Sequence, residues 1–397
     1  MHADQRGASG LEPLPYHLSV VEYLKLHEPD IWAWTRSQKI RAQHVEEVHA
    51  ELLRHSYRLE ADAHPDAHTS LRLAMERLGI DAPATIYQLG GSVMNAALRF
   101  VPGEVHILLH GPVLERLSPQ ELLALFGHEL AHYLLWSCED GIFYTADRIL
   151  NDALADARSA VSHHETARRY FLHTELFADR GAAVAASSSE AAVALLVKVT
   201  TGIGHADASA YLRQSAEIDM RDESSSAAMT HPETFIRARA LDLWWQQAED
   251  LPDWLDRKLQ GPLALQRLDL PGQLRLTELT RGFISHFLSK VALRSDAVIN
   301  QVRSMFPDWT EQVPPTAIAA FDAAQVDDDV RSYLNALMLD MALVDPDVRD
   351  TALLQAARIA RAMGSFDALQ VNLKRDARMG KRDLDRLNKQ LAKAEAV

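Results

Sequence analysis

Residues Ser118 to Trp136 read S-P-Q-E-L-L-A-L-F-G-H-E-L-A-H-Y-L-L-W, and they set the terms for the rest of the chain. The stretch predicts a helix. Ser118 is a good N-cap, Pro119 suits the first helical position, and Glu121 completes a capping box. Leu122, Leu125, Phe126, Leu130, Leu134 and Leu135 then recur at helical spacing, enough to bury most of its surface. Inside this apolar helix sit His128, Glu129 and His132, an H-E-x-x-H pattern. Residues four apart share a helix face, so both imidazoles can reach one zinc ion, and Glu129 can address a water on that metal. A buried imidazole or carboxylate needs a partner, and a metal supplies one. A core helix carrying two histidines by accident is the competing reading, and three specified positions do not decide between them.

A hydrolytic zinc site takes three protein ligands and keeps one position open, so a third donor has to come from elsewhere. The segment T-E-L-F-A-D-R-G-A-A, from Thr174 to Ala183, places Glu175 and Asp179 four apart on a second candidate core helix. Glu175 could complete a His–His–Glu set, and Asp179 could accept the free N–H of a ligand histidine. An ordinary surface pattern with Arg180 is the alternative, but Leu176, Phe177, Ala178 and Ala182 argue for burial.

Outward from these helices, Pro83 opens an extended run over residues 84–89, Gly90-Gly91 turns it, and further runs cover 95–101 and 104–109 around Pro102-Gly103. Val105, Ile107 and Leu109 alternate with Glu104, His106 and Leu108, so a small antiparallel sheet is expected before the motif helix. A sheet edge beside a metal site can take an extended peptide by strand addition. Residues 140–173 read as helical and polar, with His163, His164, Glu165 and His173 on a solvated face. The expected organisation is a disordered N-terminus (1–18), a catalytic domain (19–248), a helical connector (249–313) and a C-terminal helical domain (314–397) beginning at Pro314-Pro315.

Across 397 residues, 47% are hydrophobic, enough for a sizeable core, and the net charge is −14. That charge repels phosphate backbones and anionic lipid, which disfavours nucleic-acid and membrane partners. Cys138 is the single cysteine, so no internal disulfide is possible. No basic-then-apolar leader is visible, and the longest uncharged segment, between Asp81 and Arg99, is broken by Pro83, Gly90 and Gly91. A cytoplasmic protein without membrane insertion is expected.

H-E-L-A-H, then E-L-F-A-D-R, then T-H-P-E-T-F-I-R-A from Thr230 to Ala238, resembles the HtpX and CAAX prenyl endopeptidase-like gluzincins. The resemblance covers residues 50 to 245 and includes Asn95-Ala96 and the Leu53–Ile80 run. It implies an α+β, predominantly helical zincin-type core followed by a helical region. It also implies a zinc endopeptidase with one Zn²⁺ per chain, acting on a protein or peptide substrate. Carried over, His128, His132 and Glu175 are ligands, Glu129 is the general base and Asp179 supports a ligand. His231 would then stabilise the oxyanion or hold substrate, and Asn95 and Arg237 are candidate substrate contacts. This chain departs from the best-known members in lacking transmembrane segments. The Tyr333–Gly364 stretch, with Asp345, Asp347 and Asp350 in an acidic turn, faintly resembles TerB-type helical domains; a plain bundle with a capped turn is the simpler reading. The enzyme could be latent, covered by residues 140–173 or by the C-terminal region, which could also recruit a regulatory partner. The alternative to an enzyme is a catalytically silent metal-binding scaffold or a helical interaction protein.

Overall fold

The computed structural model describes residues 11–221 and 233–395. The chain divides into two compact units, with the division between Gln260 and Gly261.

The first unit opens with helices α1 (Pro15–His27), α2 (Pro29–Thr35) and α3 (Gln38–His55), then β1 (Tyr57–Arg58) and α4 (Pro65–Leu78). Helix α1 starts inside the stretch expected to be unstructured. Pro15 takes its first turn, and Tyr16, His17, Val20, Val21 and Leu24 are buried, which holds it. Helix α4 stops at Gly79, whose φ of 69° is the left-handed conformation that ends helices. Strands β2 (Ala84–Leu89), β3 (Asn95–Val101) and β4 (Glu104–His110) follow.

The sheet has the order β1-β2-β4-β3 and is mixed, not antiparallel as expected. The β3–β4 hairpin turns at Pro102-Gly103 and is antiparallel, but β2 runs parallel to β4, pairing Ala84 with Val105 through Leu89 with His110. The reason is non-local. β3 folds back to the outside of β4, which leaves the other edge of β4 for β2, and two strands so separated run the same way. β3 is thereby an edge strand. Val105, Ile107 and Leu109 point into the main core, while Leu108 points the other way onto Val48 and Leu52 of α3.

Helices α5 (Val113–Arg116), α6 (Pro119–Ser137), α7 (Ile142–Ala155), α8 (Val161–Ala186), α9 (Ser189–Thr201), α10 (Ala208–Arg221), α11 (Thr234–Trp245) and α12 (Leu251–Leu255) complete the unit. Helix α6 is the axis of the core, packed by α4, α8, α9 and β3. Its capping box is formed: Ser118 Oγ accepts from the Glu121 N–H at 3.3 Å, and the Ser118 N–H donates to Glu121 at 2.7 Å. Glu121 also meets Lys198 of α9 at 2.8 Å, a buried ion pair that pins the start of α6.

The second unit is helical, with α13 (Leu270–Phe287), α14 (Asp296–Met305), α15 (Asp328–Leu343), α16 (Arg349–Ala362), α17 (Phe366–Arg375) and α18 (Lys381–Glu395). Leu263, Phe283, Phe287, Leu293 and Val302 share one core with Phe321, Leu334, Leu353 and Leu387. Residues 261–313, expected as a connector, supply about a third of the buried residues of this core, and Pro314-Pro315 lies within the unit. In the acidic turn between α15 and α16, Asp345 accepts from the Asp347 N–H at 2.9 Å, a local turn contact. No helix among the described residues is long and apolar enough to cross a membrane.

Candidate active site

Two glycines let α6 and α8 come close. A Cβ on Gly127 would stand 2.3 Å from Ala185 Cβ and 2.6 Å from the Gly181 carbonyl oxygen, and one on Gly181 would meet Ala131 Cβ at 2.4 Å. The backbones touch where no side chain fits, one residue before His128. This signal is present in the sequence as glycines inside two apolar helices, a pattern that a motif-based reading passes over.

That approach puts the donors together. His128 Nε2 lies 3.7 Å from Glu175 Oε2, and His132 Nε2 lies 4.0 Å from Glu175 Oε1. One ligand atom from each of the three residues lies within 4.8 Å of the others. Zinc bonds of 2.0–2.2 Å in a tetrahedron separate neighbouring donors by about 3.4 Å, so the cage needs only a small contraction to hold the ion. The charge also fits. Carboxyl groups of Glu129, Glu175 and Asp179 gather here with Arg237 as the guanidinium among them, and an added divalent cation would balance the cluster.

Asp179 and Arg237 organise the donors. His128 Nδ1 is 3.3 Å from Asp179 Oδ1, which leaves Nε2 free to face Glu175. Arg237 donates through Nε to Asp179 at 2.8 Å and through a terminal nitrogen to Asp179 at 2.6 Å, and it reaches Glu175 at 2.9 Å. Its guanidinium, a candidate substrate contact by sequence, pairs with both acids and also lines the cleft. Arg180, the alternative partner suggested by the sequence, turns away and stacks over Trp244 at 5.3 Å.

The ionisation states follow from burial and neighbours. Burial pushes His132 down to about 4, with His128 adding to the effect, so its ring is neutral and able to ligate. Burial alone would lower His128, but the Asp179 hydrogen bond and the nearby carboxylates raise it overall. Burial raises Glu129 above the ordinary glutamate range despite His128, and its carboxylate accepts a hydrogen bond from the Leu98 backbone of β3. Glu175 and Asp179 stay below the usual range: burial opposes this, and Arg237 leads the groups that overcome it. His132 stacks on Trp136 with centroids 5.4 Å apart, and its buried Nδ1 has no hydrogen-bond partner.

These residues line one cleft of about 720 Å³ that also contains Asn95, Ala96 and Ala97 of β3. Residues 140–173 supply its far wall through Asn151, Leu154 and Phe171. That stretch is less polar than its sequence suggests: His173 is buried and stacks on Tyr16 at 4.6 Å, and Glu165 is buried between Arg168 and Arg169. Cys138 is not among the donors; burial pushes its thiol up to about 12. His231 lies outside the described residues.

No protein-family model and no solved structure matches the chain. Among curated proteins it is similar to plastoglobule-localized metallopeptidase 48, a chloroplastic protein of Arabidopsis thaliana, with 28% identity over 203 residues. The match covers 46% of this chain and 58% of that protein's length. The similarity is to a metallopeptidase, and it spans less than two thirds of that protein.

Proposed function

We propose that the chain is a zinc-dependent endopeptidase whose ion is held by His128, His132 and Glu175. The observation that carries this reading is the convergence of those three donors, within 4.8 Å of one another, beside a buried Glu129. Zinc held by these three residues would supply a water acidic enough to react near neutral pH and Lewis-acid polarisation of a carbonyl. Glu129 takes the proton of the attacking water and delivers it to the leaving amine. Its raised pKa suits it to that shuttle. The Leu98 backbone bond aims the carboxylate, and Asp179 keeps His128 in the ligating tautomer. Arg237 acts through Asp179 and Glu175 as a positioning residue. Asn95 remains a candidate substrate contact at the mouth of the cleft, and His231 a candidate oxyanion partner.

The edge of β3 beside the cleft suits an extended peptide, which would add as a further strand next to Ala96 while the Leu98 N–H stays with Glu129. Glu129→Gln tests the reading. It removes a base but no ligand, so zinc content should match the wild type while casein cleavage is lost. Full cleavage by Glu129→Gln, or a purified wild-type chain that takes up no zinc at the cleft, overturns it.

A further inference from the structure

A second His–His–Glu cluster lies outside the cleft, on the face of the sheet that α3 covers. His49 Nε2 on α3 is 3.4 Å from Glu104 Oε2, and His106 Nε2 on β4 is 2.9 Å from the same oxygen. The two rings meet edge to face with centroids 5.7 Å apart, and one ligand atom of each residue lies within 4.8 Å of the others.

The placement follows from the fold. Strand alternation sends Val105, Ile107 and Leu109 into the main core, so Glu104 and His106 face α3. Val48 and Leu52 seat α3 on Leu108 and Val101, which brings His49 over the end of β4. Arg99, opposite His106 on β3, is engaged by Glu51 of α3 at 3.1 Å. Among the described residues, Glu104 pairs with the two imidazoles.

We propose that His49, Glu104 and His106 form a second divalent-cation site, of the zinc-binding class, that clips α3 to β4. The donor set is two imidazoles and one carboxylate, the combination suited to zinc, and the observed separations of 3.4 and 2.9 Å match or fall slightly short of the ~3.4 Å edge of a tetrahedral site, within reach of a small side-chain shift. Glu104 and His49 are each about two-fifths exposed, at 40% and 44%, so water can complete the coordination and the ion can enter. The clip would add to an apolar seat whose buried members, among the described residues, are Val48, Leu52, Val101 and Leu108. An ion bound only in the folded form would add to it by mass action.

The test is zinc titration of the untagged full-length chain against a chromogenic chelator. The wild type should take two equivalents. His49→Ala and Glu104→Gln should each take one, and so should His128→Ala/His132→Ala; the triple variant His49→Ala/His128→Ala/His132→Ala should take none. His49 is half-exposed, so its truncation leaves no buried hole. In the His128→Ala/His132→Ala chain, zinc should slow amide exchange over residues 45–55, and adding His49→Ala should remove that effect. If the wild type binds one equivalent that His49→Ala does not change, or if zinc leaves exchange over 45–55 unaltered, the proposal is wrong. If the equivalent lost is the one at His49 and nothing is lost with His128 and His132, this site stands and the cleft reading falls.

Discussion

Gly127→Ala is the most informative single change. The added Cβ would sit 2.3 Å from Ala185 Cβ and 2.6 Å from the Gly181 carbonyl oxygen, about 1 Å short of ordinary contact. Neither neighbour is the end of a flexible side chain, so α6 and α8 must part. Two effects oppose each other. Alanine is favoured over glycine within a helix by about 1 kcal/mol, whereas forcing a methyl into a packed core costs about 1–3 kcal/mol. The second should win, by about 1 kcal/mol or somewhat more, lowering Tm by a few degrees. The larger effect is on the donors. His128 and His132 already stand 3.7 and 4.0 Å from Glu175, and a further ångström takes them beyond a zinc cage of about 3.4 Å edge. Thermal unfolding with and without zinc, together with zinc affinity, reads both. Ala185→Gly added to Gly127→Ala removes the nearer clash and should recover part of the affinity. An alanine variant as stable as the wild type, with unchanged zinc affinity, would refute the claim that helix approach sets the site.

Arg237→Met should be strongly destabilising, by about 3–5 kcal/mol, because it leaves Asp179 and Glu175 without their cation; chemical denaturation measures it, and saturating zinc should restore part of the loss. Burial raises Asp147 to about 7 despite the Asn151 hydrogen bond, so the folded state holds its proton more tightly than the unfolded chain. Stability should then fall as pH rises from about 4 to 7 and level off above. Asp147→Asn should flatten this slope and raise Tm at pH 8 relative to the wild type, with no such gain at pH 4. Ser118→Ala removes the acceptor for the Glu121 N–H and should cost about 0.5–2 kcal/mol by urea denaturation.

Much of the local structure was legible in the residues. The Ser118 capping box starts α6 at Pro119, Gly79 ends α4, and β2 and β3 run over 84–89 and 95–101 as their alternation and turn residues indicate. Such features depend on neighbours within a few positions. The parallel pairing of β2 with β4 was not legible, since it depends on where β3 settles. Nor was the burial of His173 and Glu165, because a polar helix face looks solvated until Tyr16 and the arginines are seen against it.

The residues alone establish which side chains are on hand: two histidines one helical turn apart, with a glutamate between them, and a second helix carrying Glu175 and Asp179. Helical periodicity is local, so no fold was needed to see that each pair shares a face. Tertiary structure alone decided how near the two helices come, where Arg237 spends its charge, that residues 261–313 complete the C-terminal core, and that His49 meets Glu104 and His106. Each of these joins parts of the chain that are distant in sequence, and such meetings are set by packing of the whole unit, which no short-range pattern encodes.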